Sequence, residues 1–321
     1  MNLKGFGEKV NTNPAAGPAS FKKRLRKELS NNYEIYLMVL PVLAFYIIFM
    51  YVPMYGVLMA FQDFKPMLGI SGSRWIGFDN FITFFSSVHF WRLIKNTLTV
   101  SLSSLVFGFP APIILALLLN EVRVRWFGKT VQTVSYMPHF ISLVIVCSLV
   151  REFTSDTGLV NQLFQLFGYN GKTMLSQPNL FVPVYVVSGI WQGIGWNSII
   201  YLAALSAVDA ELYEAAQIDG AGKIAQTWHI TLPSIMPTII ILFIMRMGTL
   251  LSVGYEKVLL LYNPGIYDTA DVISTYVYRL GFENSNYSLS TAIGLFNSVI
   301  NIILIVTTNA ISKKVSGSSL F

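Results

Sequence analysis

Six long apolar segments divide this chain of 321 residues. Each is about as long as the roughly 20 residues that a helix needs to cross a bilayer. Lipid offers the backbone no hydrogen-bond partners, so a spanning segment has to be a helix or part of a closed barrel. The apolar runs are continuous rather than alternating, which does not fit barrel strands. We expect an all-α polytopic membrane protein with six transmembrane helices, at about 35–61, 93–120, 131–153, 180–205, 235–261 and 289–311.

The composition agrees with a membrane location. Only 12% of the residues are charged and 54% are hydrophobic, whereas a soluble protein has about 25% charged residues. The net charge is +6, but seven of the 22 Lys and Arg residues lie within positions 1–27. Positive charge clustered beside a first span usually sets the orientation of the protein in the membrane, and it is a weaker indication of a nucleic-acid surface. We therefore expect no nucleic-acid partner.

The distribution of Lys and Arg predicts the orientation. With the amino terminus in the cytoplasm, the inner segments hold thirteen of these residues and the outer loops hold five. The positive-inside rule therefore favours cytoplasmic locations for both termini. The predicted organisation is a cytoplasmic tail at 1–30, a six-helix transmembrane domain at 31–315 with a cytoplasmic loop at 206–233, and a tail at 316–321.

One polar, Ala- and Gly-rich stretch, "DAELYEAAQIDGAGKIAQTWHITLP" at 209–233, interrupts the apolar sequence. Asp209 is a good N-cap for a first short helix, and Gly220 allows a sharp turn after it. We expect a second short helix that ends at the Leu-Pro pair 232–233, because the residue before proline avoids helical backbone. A helix resting on lipid headgroups would carry Lys and Arg on its polar face. This stretch has four acids and one lysine, which favours docking of a soluble partner protein.

This stretch resembles the EAA loop of permease subunits of binding-protein-dependent ABC importers. That pattern is E-A-A, three residues, G, about nine residues and then I-x-L-P. The resemblance extends over residues 30–315. Three stretches are similar to importers of oligosaccharides and uronate-rich, alginate-like polysaccharide fragments: "LPVLAFYIIFMYVPMYGVLMAFQDF", "GYEKVLLLYNPGIYDTADVISTYVYRLG" and "STAIGLFNSVINIILI". The matching loop positions are Glu214, Ala215, Ala216, Gly220, Ile230, Leu232 and Pro233.

The resemblance implies a type I ABC importer permease, multi-pass in the inner membrane, which moves an oligosaccharide. The loop would be a coupling helix that enters a cleft on a cytoplasmic ATPase. The implied partners are a second homologous permease in a heterodimer, two ATPase subunits and an external solute-binding protein. The ATPase would use ATP and Mg²⁺, so this chain would bind no cofactor and hold no catalytic residue.

The chain's own motifs do not suggest a nucleotide or metal site. "GYNGKT" at 168–173 lacks the first glycine of a phosphate-binding loop, since Leu166 stands there. The three histidines stand apart, with no acid or cysteine at ligand spacing, so no metal site is expected.

Polar and aromatic residues within the spans are candidates for a substrate pathway. Arg246 lies deep in the predicted span 235–261, where a lipid-facing arginine costs at least about 2.5 kcal/mol. It either forms a buried ion pair that holds two permeases together or lines a cavity and binds an anionic sugar through its planar fork. Lys257, near the end of that span, is expected to reach the membrane surface. The other candidates are Trp191, Gln192, Trp196, Asn197 and Asn297.

Those aromatic and amide residues have ordinary explanations too. Tryptophan near the end of a span can be an interface anchor, and the Gly189–Gly193 pair is typical of close helix packing. Two other functions remain open. Acids deep in the spans and an internal repeat would indicate an ion-coupled secondary sugar transporter, and neither is found. A membrane enzyme acting on lipid-linked sugars would need clustered acids or histidines, which only "DTAD" at 268–271 approaches.

Overall fold

The computed structural model describes residues 31–321, and the predicted tail at 1–30 with its seven basic residues lies outside them. The chain forms two compact units, one ending at Gly56 and one running from Val57 to Phe321. Within the described residues nearly all regular structure is helical, and the strands are confined to one antiparallel hairpin in which Gln62 pairs with Trp75. The prediction of an all-α fold is confirmed.

The helices follow one another through short connections. They are α1 Tyr33–Phe61, α2 Gly69–Gly72, α3 Asp79–Phe85, α4 Phe90–Glu121, α5 Arg125–Phe140, α6 Leu143–Phe153, α7 Leu159–Gln165, α8 Pro178–Ser206, α9 Ala210–Ile218, α10 Lys223–Met247, α11 Tyr255–Leu261, α12 Tyr267–Ala270, α13 Ile273–Tyr278 and α14 Tyr287–Ser316. The hairpin consists of β1 Gln62–Asp63 and β2 Arg74–Trp75.

Four of these helices, α1, α4, α10 and α14, are long and apolar enough to cross a membrane. The pair α5 and α6 makes a fifth if it counts as one span, but it bends by 103° at residues 141–142. The helix α8 has 29 residues, or about 44 Å at 1.5 Å per residue, yet polar residues lower its hydropathy. The polytopic architecture is therefore confirmed, whereas the count of six spans stays a prediction.

The predicted fifth span, 235–261, is wrong in its second half. Helix α10 ends at Met247, and irregular backbone separates it from α11. A buried amide on α14 stabilises this break. The Oδ1 atom of Asn301 accepts the backbone N–H of Leu251 at 3.1 Å, and its Nδ2 atom donates to the Ser252 hydroxyl at 3.0 Å. Irregular backbone at membrane depth is tolerated where protein groups satisfy it in this way.

The predicted helix end at 232–233 is also wrong, because the backbone remains helical through Pro233. A proline removes one N–H donor and crowds the preceding turn. Here the turn before it widens into a π-helical segment, Thr227–Thr231, and such a bulge accommodates the lost bond. The same arrangement occurs in α1, where Ile47–Tyr51 is π-helical just before Pro53. The second short helix of the loop is thus the first part of α10.

Helix α8 lies at the centre of the second unit and contacts α4, α5, α10 and α12. The largest buried cluster fills the space between α6, α8 and α11, where Cys147, Phe181 and Val258 are almost fully buried. A second cluster joins α3, α4, α13 and α14. The first of these clusters packs against α8, and two cavities lie against opposite faces of that helix.

Candidate functional site

The loop that resembles an EAA loop forms a short helix and a tight turn. The Asp209 carboxylate caps α9 by accepting the backbone N–H of Glu211 at 3.0 Å. After the helix, Gly220 has a φ of +78°, a conformation that residues with a Cβ rarely adopt. The N–H of Ala221 returns to the carbonyl of Ala216 at 2.8 Å and closes the turn. The predicted N-cap and glycine turn are both present.

Side-chain hydrogen bonds fasten this turn to the start of α10. The amide of Gln226, which is almost fully buried, donates to the Ala221 carbonyl at 2.8 Å. The Tyr213 hydroxyl lies 3.0 Å from the hydroxyl of Thr231. These bonds join α9 directly to the base of the 25-residue helix α10.

The outward surface of this element exposes four apolar side chains among acidic ones such as Glu214 and Asp219. We call it the coupling surface and define it by four exposed side chains, of which Ile218 is the most exposed at 87%. Contiguous exposed apolar groups mark interaction sites. Of the predicted coupling residues, Glu214, Ala215, Gly220 and Pro233 are exposed, while Ala216, Ile230 and Leu232 are half-buried. The coupling surface consists of Leu212, Ile218, Ile224 and Trp228.

A cavity of about 390 Å³ lies between α4, α8, α10 and α11. It brings together three of the predicted pathway residues, Gln192, Asn197 and Arg246. Arg246 is in the last turn of α10, one residue before the helix ends, which suits a cation because the helix dipole is negative there. Within residues 31–321, no carboxylate forms an ion pair with it.

Lys257 lines the same cavity, a position that was not predicted from the sequence. It is only 8% exposed rather than extended to the membrane surface. Its Nζ atom donates to the Tyr185 carbonyl at 3.0 Å and lies 4.7 Å from the centre of the Tyr185 ring. No carboxylate in the described part of the chain pairs with it either. The cavity is therefore lined by two cations, two amides and three aromatic side chains, with no acid on its wall.

The remaining pathway candidates lie elsewhere. Trp191 is on the opposite face of α8 and lines a second cavity. Trp196 stacks on His139 with ring centres 4.5 Å apart. Asn297, on α14, does not line the cation-lined cavity, and its buried Oδ1 atom has no hydrogen-bond partner among the described residues. The predicted cluster of Trp191, Gln192, Trp196 and Asn197 is thus divided between two faces of one helix.

The acids of "DTAD" at 268–271 do not form a catalytic pair. The Asp268 side chain is 88% exposed and meets Arg92 at 3.0 Å, whereas Asp271 is fully buried. The Asp271 carboxylate accepts from Arg279 at 2.6 Å and from the Thr275 hydroxyl at 2.8 Å. Burial alone would lower the pKa of Arg279, but its hydrogen bond to Asp271 and that carboxylate's charge raise the pKa above its ordinary value. This ion pair is structural.

The Asp271 pair belongs to a larger clamp that holds the segment after α11 against α4. The Nδ2 atom of Asn96 donates to the carbonyls of Asp268 and Asp271 at 3.0 Å each. The hydroxyl of Thr97 accepts the N–H of Ile273 at 2.9 Å. Among residues 31–321 no three metal-ligating side chains come together.

Sequence comparison places these features in a wider group of proteins. Residues 108–317 match the family described as binding-protein-dependent transport system inner membrane component. The polygalacturonan/rhamnogalacturonan transport system permease protein YteP of Bacillus subtilis is 45% identical over 94% of this chain and 95% of its own length. Protein LplB of Bacillus subtilis is 48% identical over 91% of this chain and 92% of its own length.

Two solved structures are also similar to this chain. A bacterial ABC transporter involved in the import of the acidic polysaccharide alginate has a chain 46% identical to this one, with a TM-score of 0.84 over 91% of this chain and 99% of that chain. A chain of the bacterial alginate ABC transporter in complex with an alginate pentasaccharide-bound periplasmic protein gives a TM-score of 0.85 at 45% identity, over 92% of this chain and 100% of that chain.

Proposed function

We propose that this chain, which belongs to the family of inner membrane components of binding-protein-dependent transport systems, moves acidic oligosaccharides across the membrane. Membership in the family makes it a multi-pass permease subunit of an importer and not an enzyme. The resemblance of the loop at 209–233 pointed to the same family. The proposal adds the chemical class of the transported molecule and the residues that bind it.

The two cations of the cavity, which have no carboxylate partner among residues 31–321, carry the proposal. Lys257 is buried, and a charge removed from water is costly unless an opposite charge or hydrogen bonds compensate it. Arg246 is exposed where it lines the cavity. Arg246 and Lys257 line one cavity whose wall has no acid. A uronic acid supplies that missing charge, and its carboxylate matches the planar fork of arginine with two parallel hydrogen bonds.

The uncharged parts of the cavity suit the rest of a sugar. The amides of Gln192 and Asn197 can both donate to and accept from sugar hydroxyls. Tyr185 adds an aromatic ring to the wall. Two similar proteins agree with this, since polygalacturonan and alginate are both acidic polysaccharides. We infer that the chain accepts oligosaccharide fragments that carry carboxylates.

We also propose the assembly in which this permease works. The coupling surface docks a cytoplasmic ATPase, and the bonds between α9 and α10 transmit its closure to Arg246 at the far end of α10. A second homologous permease completes the pathway, two ATPase subunits hydrolyse ATP with Mg²⁺, and an external solute-binding protein delivers the sugar. The periplasmic protein in the alginate transporter complex supports the last of these partners. Both termini would lie in the cytoplasm.

Transport by the reconstituted complex tests the proposal. The complex is placed in liposomes that contain ATP and Mg²⁺, with the binding protein outside. Uptake is compared between a galacturonic acid oligomer and its methyl-esterified form, which has the same length and no charge. We expect ATP-dependent uptake of the acidic oligomer and at least tenfold less of the ester. Equal uptake of both at saturating binding protein, or uptake without ATP, would contradict the proposal.

A further inference from the structure

A second cavity, of about 450 Å³, lies on the face of α8 opposite the cation-lined cavity. Its walls are α6, α7 and α8, together with the segment that joins α7 to α8. Aliphatic and aromatic side chains make up most of the lining, among them Phe153, Val160, Phe164, Val187 and Trp191. The volume is about three times that of an engineered apolar cavity of ~150 Å³ that binds the six carbons of benzene. By that measure it has room for an alkyl chain of roughly 18 carbons.

The three hydroxyl groups of this lining are already hydrogen-bonded. The hydroxyl of Thr154 donates to the Val150 carbonyl at 2.7 Å, and the hydroxyl of Ser188 donates to the Tyr185 carbonyl at 3.0 Å. The Tyr169 hydroxyl donates to the Lys172 carbonyl at 2.8 Å. A sugar would lose its hydrogen bonds to water here without replacement, so the cavity suits an apolar chain instead.

The cavity opens onto an apolar part of the surface of the chain. Val187 and Trp191 on α8 and Phe164 on α7 line it and are also exposed at its edge. Beyond the edge, α7 presents the exposed side chains of Leu159 and Leu163. Tryptophan and tyrosine at such a position are typical of the headgroup level of a bilayer.

One exposed cation lies beside the opening. Residues 157–177 contain one lysine and no Asp or Glu, and the acids Glu152 and Asp156 precede them. That lysine, Lys172, is exposed, and no carboxylate of the described residues pairs with its ammonium. Its backbone carbonyl is the acceptor of the Tyr169 hydroxyl at the cavity wall. The charge and the apolar volume thus occur next to each other.

We propose that a phospholipid binds at this site, with one acyl chain in the cavity between α6, α7 and α8 and its phosphate at Lys172. The bound chain fills the space behind α8 and supports the helix whose other face lines the cation-lined cavity. The site is independent of the sugar that the permease moves, because no residue lines both cavities.

Photolabelling in a membrane tests this proposal. The full transporter complex is placed in nanodiscs of phosphatidylethanolamine with phosphatidylglycerol that carries a diazirine in one acyl chain, and the labelled residues are mapped by mass spectrometry. We expect the label to concentrate on the cavity lining. Val187→Trp, which fills the cavity from an exposed position, should reduce that label at least fivefold. Ile145→Trp, at an exposed position outside the lining, is the matched control and should leave it unchanged.

Further variants test the cavity and the contact at Lys172 separately. If Val187→Trp fails to assemble, Leu149→Trp fills the same cavity from α6. Lys172→Gln should reduce labelling by phosphatidylglycerol severalfold and leave labelling by a diazirine diacylglycerol, which has no phosphate, unchanged. Labelling that is equal on all lipid-facing helices, or unchanged in the filled variants, would overturn the proposal. A cross-link from Trp191→Cys to a helix of another subunit would also overturn it, because a protein segment would then occupy the cavity.

Discussion

The ammonium group of Lys257 on α11 donates to the carbonyl oxygen of Tyr185 on α8 at 3.0 Å. This bond fixes a cation at the wall of the cavity, although a break in the backbone separates α11 from α10. The space that the ammonium occupies depends on Gly189, one turn further along α8. A Cβ atom at Gly189 would lie 3.2 Å from the Lys257 Nζ atom. The glycine therefore allows a positive charge to lie close to the backbone of α8.

Substitution of Gly189 tests this relationship. Gly189→Ala brings one methyl group close to a flexible ammonium, which can shift by a few tenths of an ångström, so uptake should change less than twofold. Gly189→Leu should displace the ammonium and lower uptake of acidic oligosaccharide at least fivefold, as measured in liposomes. Gly294→Leu, in α14 where an added Cβ meets no atom within 4 Å, is the control. Equal uptake by the leucine variants of Gly189 and Gly294 would show that the ammonium position does not matter.

Gly220 should contribute to transport in two separate ways, through the backbone geometry of the turn and through docking of the ATPase. An added Cβ there meets no atom of this chain within 4 Å, but the φ of +78° strains any residue with a side chain, at about 1–2 kcal/mol. Asparagine tolerates this conformation, so Gly220→Asn should retain most transport. Gly220→Trp should leave the permease in the membrane and abolish coupling, because the indole meets the docked ATPase. The measurements are ATPase copurification and uptake.

Gly222 provides the control for that turn, because its φ is −71° and an added Cβ there also meets nothing. Gly222→Ala should therefore behave like the unchanged protein. Normal uptake by Gly220→Trp at normal expression would contradict a docking role for the loop.

The buried pair of Asp271 and Arg279 should stabilise the segment after α11. Removing one partner of a buried ion pair typically costs about 3–5 kcal/mol, so Asp271→Asn should lower the unfolding temperature of the purified complex by several degrees. Asp268→Asn removes an exposed pair with Arg92, which is worth about 0–1 kcal/mol, and should have almost no effect. If both variants unfold at the same temperature, the buried pair contributes no more than the exposed one.

The proposed orientation predicts which positions an impermeant thiol reagent can reach. In a Cys147→Ser background, cysteines at Asn170 and Asn284, both exposed, should react in intact cells whose outer face is accessible. Cysteines at Lys223 and Lys314, also exposed, should react only after the cells are opened. The native thiol is almost fully buried, so background labelling should be low. The opposite pattern would reverse the orientation.

The sequence predicted the helices whose apolar character is decisive along their whole length. Helices α1 and α14 lie within a few residues of the predicted spans, because long apolar runs have no other stable conformation in lipid. The turn at Gly220 was predictable as well, since glycine is favoured at such a position for a local reason. These features depend on residues that are close in sequence.

The break between α10 and α11 was not predictable in this way. Residues 248–254 include Leu250, Leu251 and Val253, which read as a continuation of the span. The backbone leaves the helix there because Asn301 satisfies its polar groups from α14, and this contact joins residues 50 positions apart. The burial of Lys257 follows from the same break. Lys257 was expected at the end of a span, but it lies in the first turn of α11 and is buried.

Loss of the two cations from the cavity tests the central claim most directly. The ratio of acidic to neutral oligosaccharide uptake is measured for the reconstituted complex carrying Arg246→Gln or Lys257→Gln. Each should lower the ratio about tenfold, equivalent to about 1.4 kcal/mol, while the complex assembles normally. Arg151→Gln, which removes an exposed cation of α6 outside the cavity, should not change it. An unchanged ratio in the two cavity variants, or a complex that falls apart, would contradict the account.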